Sequence, residues 1–547
     1  MIALTEKAEM GHPTYCLCSA GPIPCRMVTS PHSREGRAPL RASVRRLLVF
    51  LHDRPFGTVM VIALALRVPL VFAEITYRGD IWRQADTASI ARNFHEHGYR
   101  LFFPQILWGG NGPGYVESEF QLFPWITSLL YGLFGERVWL GRAVSLVATG
   151  GALVAFSMLA RRMLTRRAAL VALVFFAFAP LMVKYSTAFM PEATVLCFYV
   201  LALLAFDRWL ESRSWNDLLA TAGLAAVAFL VKPTSLHLGV VFVLALLLRH
   251  GWRALVTRQT VVLAAVSLLP ITAWLVHGRR LYQQYGNTFG VISGGDRKFG
   301  SIDYWTSAGF YKGVTKLDFL WIFAAATLPL FAVGLALALK RHRPALLIAG
   351  VVTIGIYYAA AARYTQSEMG IQYHIFAVVY AALAVGLGAD WIVEWVVNSD
   401  RAWMRPATFG ALGASAVMFL AASAFVEVDQ FRDNGSSAMS CAAAMRELIP
   451  RDSLIVGSSS NPAVDQGVAN NWQDPVLFFH GQVRGWSLAA DQHRPDLVEQ
   501  YRLAGARWFV IEARSRLDAN PDLAAYLEQW PQVGPGVDNG CGIYQLT

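Results

Sequence analysis

Apolar runs long enough to cross a bilayer recur along this 547-residue chain, and they limit its fold more than any other feature. Only 15% of the residues are charged and the mean hydropathy is +0.40, which is typical of an integral membrane protein. The composition predicts a polytopic α-helical membrane protein with about eleven transmembrane helices and at most about thirteen. The predicted spans are 56–76, 138–160, 168–184, 192–209, 216–231, 235–249, 260–277, 317–339, 344–362, 371–398 and 404–427.

The basic residues lie in short clusters between these runs, and they predict the orientation of the chain. Cytoplasmic loops of membrane proteins are enriched in lysine and arginine, so the clusters at 34–46, 161–167, 249–258 and 340–343 belong inside. Residues 1–55 are then a disordered, basic cytoplasmic tail, and the C-terminal segment lies outside, as in a protein of the bacterial inner membrane. The net charge of +10 fits contact with anionic membrane lipids, and nucleic acid is not an expected partner.

A membrane domain over residues 56–427 is followed by a segment of different character, residues 428–547. Here predicted strands alternate with predicted helices, which indicates a small soluble α/β domain. The strands are predicted at 453–457, 475–479, 507–511 and 542–546, and the helices at 437–448, 495–504 and 521–530. Cys441 and Cys541 stand near the two ends of this domain. They form a disulfide if the domain faces an oxidising compartment, and otherwise they are free thiols.

The long loop after the first span, residues 77–137, concentrates acids, arginines and aromatic residues in an otherwise apolar chain. Its spacing predicts an interfacial helix from Asp86 onward. A carboxylate at a helix start is either a cap for free backbone N–H groups or a base held near the membrane surface. The glycine-rich segment 109–114 is either a mobile lid or a connector between two interfacial helices. A second outer loop, 278–316, is basic enough to suit a site that handles phosphate.

Three stretches of the first loop resemble the GT-C membrane glycosyltransferases: WRQADTASIARNF at 82–94, ESEFQLFPW at 117–125 and LFGE at 133–136. The nearest branch is the protein-mannosyltransferase-like set, glycosyltransferase family 39, with the aminoarabinose and Rgt-type lipopolysaccharide sugar transferases. The resemblance extends over residues 56–390 and implies a GT-C fold. It also implies transfer of a hexosyl or pentosyl group from a polyprenyl-phosphate donor to an acceptor hydroxyl at the outer face of the membrane. The acceptor would be lipid A, a polysaccharide or a protein.

Asp86 matches the aspartate that this family carries in its first outer loop, and the resemblance implies that it acts as the general base. Two positions depart from the family pattern and leave the particular donor and acceptor open. Thr87 stands where members often have a second carboxylate, and Glu119 stands where the aminoarabinose branch has a lysine associated with lipid-phosphate binding. The cations predicted to neutralise the leaving phosphate in place of that lysine are Arg83, Lys232 and Arg363.

The remaining candidate residues are predicted to contact substrate or to bind a divalent metal. The substrate-binding candidates are Trp82, Glu119, Glu192, Tyr364 and His374. Glu117 and Glu119 are the possible metal ligands, although a solvated position is favoured for Glu117. The alternatives for two others are structural: Lys232 would extend to lipid headgroups, and His374 would lie at the membrane interface.

Two other functions stay open on the sequence alone. A lipid or polysaccharide transporter would show internal repeats and polar residues at mid-membrane depth. An O-antigen ligase or polymerase would concentrate its chemistry in a large late loop. The chain shows no clear repeat, and its acids gather in the first loop, so the sequence favours a glycosyltransferase.

Overall fold

The computed structural model describes residues 54–75, 80–294, 299, 302–341, 345–401, 403–432, 437–465 and 468–547. The predicted tail 1–55 lies outside the described residues except for its last two positions, and so does the beginning of the first loop at 76–79. The helices up to residue 429 are α1 (Pro55–Val71), α2 (Ile81–Glu96), α3 (Leu122–Phe134), α4 (Val138–Met163), α5 (Arg166–Phe178), α6 (Pro180–Tyr185), α7 (Glu192–Ser212), α8 (Trp215–Val231), α9 (His237–His250), α10 (Arg258–Tyr285), α11 (Ile302–Trp305), α12 (Ala308–Leu317), α13 (Leu328–Arg341), α14 (Ala345–Ala360), α15 (Ala362–Thr365), α16 (Ala377–Val397) and α17 (Met404–Asp429).

The chain is a multi-pass helical membrane protein, as predicted. Within the described residues, 6 helices are long and apolar enough to cross a membrane, or up to 7 if the bent pair formed by α13 and α14 is one span. Three shorter apolar helices, α1, α3 and α8, accompany them. The number of about eleven spans therefore stays a prediction. The bundle is centred on α7, which packs against α4 and α8, and on α16, which packs against α5 and α13.

The predicted span 168–184 is broken, and two polar side chains compensate for the break. Pro180 starts α6, and because proline has no N–H the helical hydrogen bonding is interrupted there. Arg67, buried in α1, donates to the carbonyl oxygen of Ala177, and the Ser423 hydroxyl donates to that of Phe178. A buried arginine in an apolar bundle requires such acceptors, because an unpaired charge among hydrocarbon side chains is costly.

The C-terminal segment forms a small α/β domain. Two short strands, β1 (Val116–Glu117) and β2 (Asn287–Thr288), precede it in the chain. The elements of the domain are α18 (Ser437–Leu448), β3 (Leu454–Ser458), β4 (Val464–Asp465), β5 (Val468–Ala469), α19 (Val476–Gly481), β6 (Arg484–Leu488), α20 (Pro495–Leu503), β7 (Trp508–Ile511), α21 (Arg514–Asp518), α22 (Pro521–Leu527), β8 (Gln532–Gly536) and β9 (Cys541–Gln545). Five of these strands form one sheet with the order β6-β3-β7-β9-β8. Strands β6, β3 and β7 are parallel, whereas β9 runs antiparallel to β7 and β8.

The strand predicted at 475–479 is wrong, because these residues begin helix α19. Asp474 accepts a hydrogen bond from the backbone N–H of Val476 at 2.9 Å, which supports a helix start directly after Pro475. The short run Val-Leu-Phe-Phe is buried on all sides, and a continuous apolar run of this length fits a buried strand and a buried helix equally well.

The two loops predicted to lie outside are joined to each other. Helix α10 continues to Tyr285, so the second loop begins later than the predicted residue 278. Beyond it, β2 (Asn287–Thr288) pairs in parallel with β1 (Val116–Glu117) of the first loop. This pairing fixes the second loop against the segment that carries two of the candidate acids.

The first loop also shares a hydrophobic core with the C-terminal domain. Ile90 and Phe94 of α2 belong to the same buried cluster as Phe478 and Phe479 of α19. In addition, the Arg92 guanidinium donates to the carbonyl oxygen of Phe479 at 3.1 Å. The C-terminal domain is therefore packed directly on the helix that carries Asp86.

Cys441 and Cys541 form a disulfide between α18 and β9, which resolves the alternative that the sequence left open. The bridge closes a loop with a sequence separation of 100 residues. We expect the change of both cysteines to serine to lower the free energy of unfolding by about 2–5 kcal/mol, since the open chain regains conformational entropy when unfolded. Thermal unfolding in detergent measures this loss. Cys197→Ser, which removes a free cysteine of α7, is the control and should leave the midpoint close to that of the native protein. An unchanged midpoint in the double variant would contradict the prediction.

Candidate active site

Asp86 lies within α2 and not at its start, so the predicted helix start is wrong and the alternative in which Asp86 caps the helix is excluded. The helix begins at Ile81, and the preceding residue, Asp80, has a left-handed backbone with φ 55°. Ile81, Ala85 and Ala88 belong to a buried cluster that includes residues of the first loop and of the C-terminal domain, and this packing extends the helix beyond what the local spacing suggested. The Asp86 side chain is therefore available for another role.

The Asp86 carboxylate is buried and only partly hydrogen-bonded. Its side chain is 1% exposed, and Oδ1 accepts a hydrogen bond from the indole N–H of Trp108 at 2.9 Å. Its other oxygen, Oδ2, has no hydrogen-bond partner within the described part of the chain. Burial raises the pKa of Asp86 to about 7, while the Trp108 hydrogen bond and the Arg83 charge lower it and the Asp474 charge raises it further. In this conformation the oxygen is closed to solvent.

Arg83 lies one helical turn before Asp86 and is paired with a different acid. Its guanidinium forms a salt bridge with Glu119, whose side chain is largely buried. The guanidinium also lies 5.1 Å from the ring centre of Phe289, in cation–π geometry. Two predicted substrate-binding residues, Arg83 and Glu119, are thus brought together next to the carboxylate.

Lys232 and Glu192 form a buried ion pair. Lys232 follows the last residue of α8, and Glu192 is the first residue of α7. The ammonium group bonds the carboxylate, both side chains are at most 10% exposed, and Nζ lies 5.3 Å from the ring centre of Tyr373. The alternative in which Lys232 extends to lipid headgroups is therefore wrong, since the side chain is turned inward.

Arg363 and Tyr364 are connected to this pair through aromatic contacts. The rings of Tyr364 and Tyr373 are 5.6 Å apart, and the Arg363 guanidinium lies 5.8 Å from the centre of the Tyr364 ring. Arg363 also lies 3.7 Å from the carboxylate of Asp465, in the C-terminal domain. A continuous series of contacts thus joins Lys232 to Arg363 and onward to that domain.

His374 takes part in a hydrogen-bond network with Asp318 and Thr365. Its ring is buried, with Nδ1 2.6 Å from Asp318 Oδ1 and Nε2 2.8 Å from the carbonyl oxygen of Thr365. Tyr358 donates to the same Asp318 oxygen at 3.0 Å. Because both ring nitrogens already face oxygen acceptors, the geometry favours a packing role for His374 over the predicted contact with substrate.

Glu117 anchors the second loop to the first. Its carboxylate accepts hydrogen bonds from the Thr288 hydroxyl and from the backbone N–H groups of Ile292 and Ser293, the last two at 3.0 and 3.2 Å. The side chain is buried, so the solvated position considered for it is wrong.

Among the residues the structure describes, no group of three or more His, Cys, Asp and Glu side chains is arranged to hold a metal ion.

Trp82 joins the site to the C-terminal domain. The Trp82 indole N–H donates to the carbonyl oxygen of Gln473.

Three residues of the site were not predicted from the sequence. The missed residues are Trp108, Asp474 and Phe289. No local pattern marks Asp474 or Phe289. Trp108 directly precedes the glycine-rich segment, and this position could have indicated a residue of the site.

The architecture of the chain is that of a polytopic membrane protein with the GT-C fold. Residues 121–277 match the family model described as dolichyl-phosphate-mannose-protein mannosyltransferase. No curated protein sequence matches the chain. The predicted resemblance to GT-C glycosyltransferases of family 39 type is confirmed by this match together with the structural similarities below.

The chain is similar to several solved structures over most of its length. ArnT from Cupriavidus metallidurans bound to undecaprenyl phosphate has a TM-score of 0.59 at 15% identity, over 91% of this chain and 98% of that chain. The oligosaccharyltransferase of Archaeoglobus fulgidus, in complex with Zn and sulfate, has a TM-score of 0.53 at 13% identity, over 89% of this chain and 73% of that chain. The archaeal oligosaccharyltransferase AglB from Archaeoglobus fulgidus, in complex with an inhibitory peptide and a dolichol-phosphate, has a TM-score of 0.50 at 14% identity, over 91% and 75% of the two chains. At these identities the similarity shows the fold.

Proposed function

We propose that the protein is a glycosyltransferase that moves a sugar from a polyprenyl-phosphate donor to an acceptor hydroxyl, with Asp86 as the general base. The observation that carries the proposal is the Asp86 carboxylate, which is buried, has one oxygen without a hydrogen-bond partner among the described residues, and has a pKa of about 7. A group whose pKa lies near the working pH is ionised often enough to accept a proton and basic enough to remove one.

The chemistry requires one base and a means of stabilising the leaving group. The acceptor oxygen bonds to the anomeric carbon while the bond from that carbon to the phosphate oxygen breaks. The hydroxyl proton passes to Asp86, and the polyprenyl phosphate leaves with the bonding electron pair. A single base without a second, nucleophilic carboxylate predicts inversion at the anomeric carbon.

The cations of the site would stabilise the charge on the leaving phosphate. Arg83 and Lys232 each pair with an acid in the structure, Glu119 and Glu192 respectively, so an incoming phosphate competes with these carboxylates. Arg363 offers a planar guanidinium that can bind two phosphate oxygens at once. The acids keep the cations in place until the donor arrives, which avoids unpaired charge in a buried site.

A lipid-phosphate donor is supported by the structural similarities. ArnT of Cupriavidus metallidurans was solved with undecaprenyl phosphate, and the archaeal oligosaccharyltransferase with a dolichol-phosphate. We extend this donor class to the present chain, with lipid A, a polysaccharide or a protein hydroxyl as the acceptor. In this proposal the site opens at the outer face of the bacterial inner membrane, and the C-terminal domain lies outside.

Donor dependence is the direct test of the proposed function. We expect purified protein in detergent or liposomes to release polyprenyl phosphate from a polyprenyl-phosphate sugar when membrane extract supplies the acceptor. Nucleotide sugars should give no turnover, since the site as proposed recognises a lipid-linked phosphate. Thin-layer chromatography of a labelled donor measures both reactions. Turnover with a nucleotide sugar in place of the lipid-linked donor would contradict the proposal.

A further inference from the structure

A short segment of the first loop pairs with the edge strand of the C-terminal sheet. The N–H of Gly485 in β6 donates to the carbonyl oxygen of Leu107 at 2.9 Å, and the carbonyl oxygen of Gly485 accepts from the N–H of Gly110 at 2.7 Å. Gly109 forms an antiparallel bridge with Trp486. The glycine-rich segment is therefore docked on the domain, which neither the lid nor the plain connector predicted.

Trp108 lies between the two residues that this pairing holds. Its backbone is fixed on one side at Leu107 and on the other at Gly110, both by Gly485. Its side chain donates the hydrogen bond to Asp86 Oδ1 and makes an edge contact with Phe289 at 5.9 Å between ring centres. The position of this hydrogen-bond donor is thus set by the C-terminal domain.

A second part of the same domain contacts the site from another direction. Gln473 accepts from the Trp82 indole, and the side-chain amide of Asn471 donates to the carbonyl oxygen of Phe289 at 3.2 Å. Asp474, the next residue, is half-buried; desolvation raises its own pKa, and its charge raises the pKa of Asp86. The domain therefore contributes both hydrogen-bonding contacts and a charge to the surroundings of the Asp86 carboxylate.

We propose that the C-terminal domain is part of the active site, in which Trp108, held by Gly485, and Asp474 are positioning residues for the Asp86 carboxylate. This inference rests on the proposed role of Asp86 as the base. It assigns the domain a place in the reaction itself. The domain holds the base in one orientation and sets the charge around it before substrate arrives.

The groups around Asp86 shift its pKa in opposite directions, so their removal should move the pH dependence of transfer in opposite directions. Trp108 donates to the carboxylate and Arg83 is the nearby cation, so both favour its ionised form, whereas Asp474 disfavours it. Trp108→Phe keeps an aromatic ring but removes the N–H. We expect it to move the rise of kcat/KM with pH upward by about one unit. Asp474→Asn removes the opposing charge and should move the same rise to lower pH.

The docking of the loop is tested separately by two glycine variants. Gly110 has a φ of 75°, and a Cβ placed there would lie 2.6 Å from Trp486 Nε1, so Gly110→Ala should loosen the segment from β6. Gly112 has room for a Cβ, with its nearest neighbour at 3.9 Å, and Gly112→Ala is the matched control. We expect Gly110→Ala to shift the pH profile in the same direction as Trp108→Phe. The double variant that combines Gly110→Ala with Trp108→Phe should shift the pH profile no further than Trp108→Phe alone.

The outcomes separate this inference from the proposed function. If Asp86→Asn kept ordinary turnover, the assignment of the base itself would be overturned. If transfer depended on Asp86 but Trp108→Phe and Asp474→Asn left the pH profile in place, only the positioning role would be overturned. A lower rate with an unmoved profile would show that these residues act through stability alone, and it would also overturn the inference.

Discussion

Asp86→Asn is expected to reduce transfer by about 10²–10⁴-fold, the usual contribution of a general base. Asparagine has the same shape and can still accept the Trp108 hydrogen bond through its carbonyl oxygen, but it cannot take a proton from the acceptor. The initial rate of release of polyprenyl phosphate from a labelled donor measures the effect. Asp496→Asn, at an exposed acid of the C-terminal domain, is the matched control and should retain the native rate.

The same substitution should not destabilise the protein at neutral pH. The pKa of Asp86 is raised in the folded state, so the folded protein binds this proton more tightly than the unfolded chain. The contribution of the carboxyl to stability is therefore present at low pH and is lost as pH rises through about 7. We expect Asp86→Asn to unfold at an equal or higher temperature than the native protein at pH 8. Ordinary turnover, or inactivity that accompanies a large fall in thermal stability, would contradict the assignment.

The parts of the fold that follow from local pattern were predicted well. Apolar runs indicated a multi-pass helical protein because hydrocarbon admits few other structures. The strands near 454 and 508 and the helix beginning at Pro495 lie where the alternation of residues placed them. The failures occur where long-range packing decides between local options. The beginning of α2 and the helix at Val476 are both examples, since buried contacts extended one helix and turned an apolar run into another.

The site was predictable to the extent that its residues carry a motif or a charge. Asp86 was found through the family resemblance, and the acids and cations were found because charge is rare in such a chain. Their pairing was not predictable. Arg83 was predicted to neutralise the leaving phosphate, but its salt bridge with Glu119 was not predicted. The contact between Trp82 and Gln473 joins residues 391 positions apart, and no local signal identifies such a partner.

The second large effect is expected at the buried ion pair of Lys232 and Glu192. Lys232→Met should lower the free energy of unfolding by about 3–5 kcal/mol, because it leaves an uncompensated carboxylate in the interior. The Glu192 side chain is 0% exposed and its Oε2 has no hydrogen-bond partner among the described residues, so water cannot replace the lost partner. Thermal and denaturant unfolding in detergent measure the loss. Lys316→Met is the matched control, since its pair with Glu368 is exposed and should contribute at most about 1 kcal/mol.

A double variant separates the stability of this pair from its part in the reaction. Glu192→Gln combined with Lys232→Met removes both charges, so we expect it to recover most of the stability that Lys232→Met loses. If Lys232 also stabilises the leaving phosphate, the folded double variant should remain much less active than the native protein, with the deficit in kcat. A double variant as unstable as Lys232→Met would contradict the coupling of the two charges. A stable double variant with native kcat would remove Lys232 from the reaction and leave Arg83 and Arg363 to stabilise the phosphate.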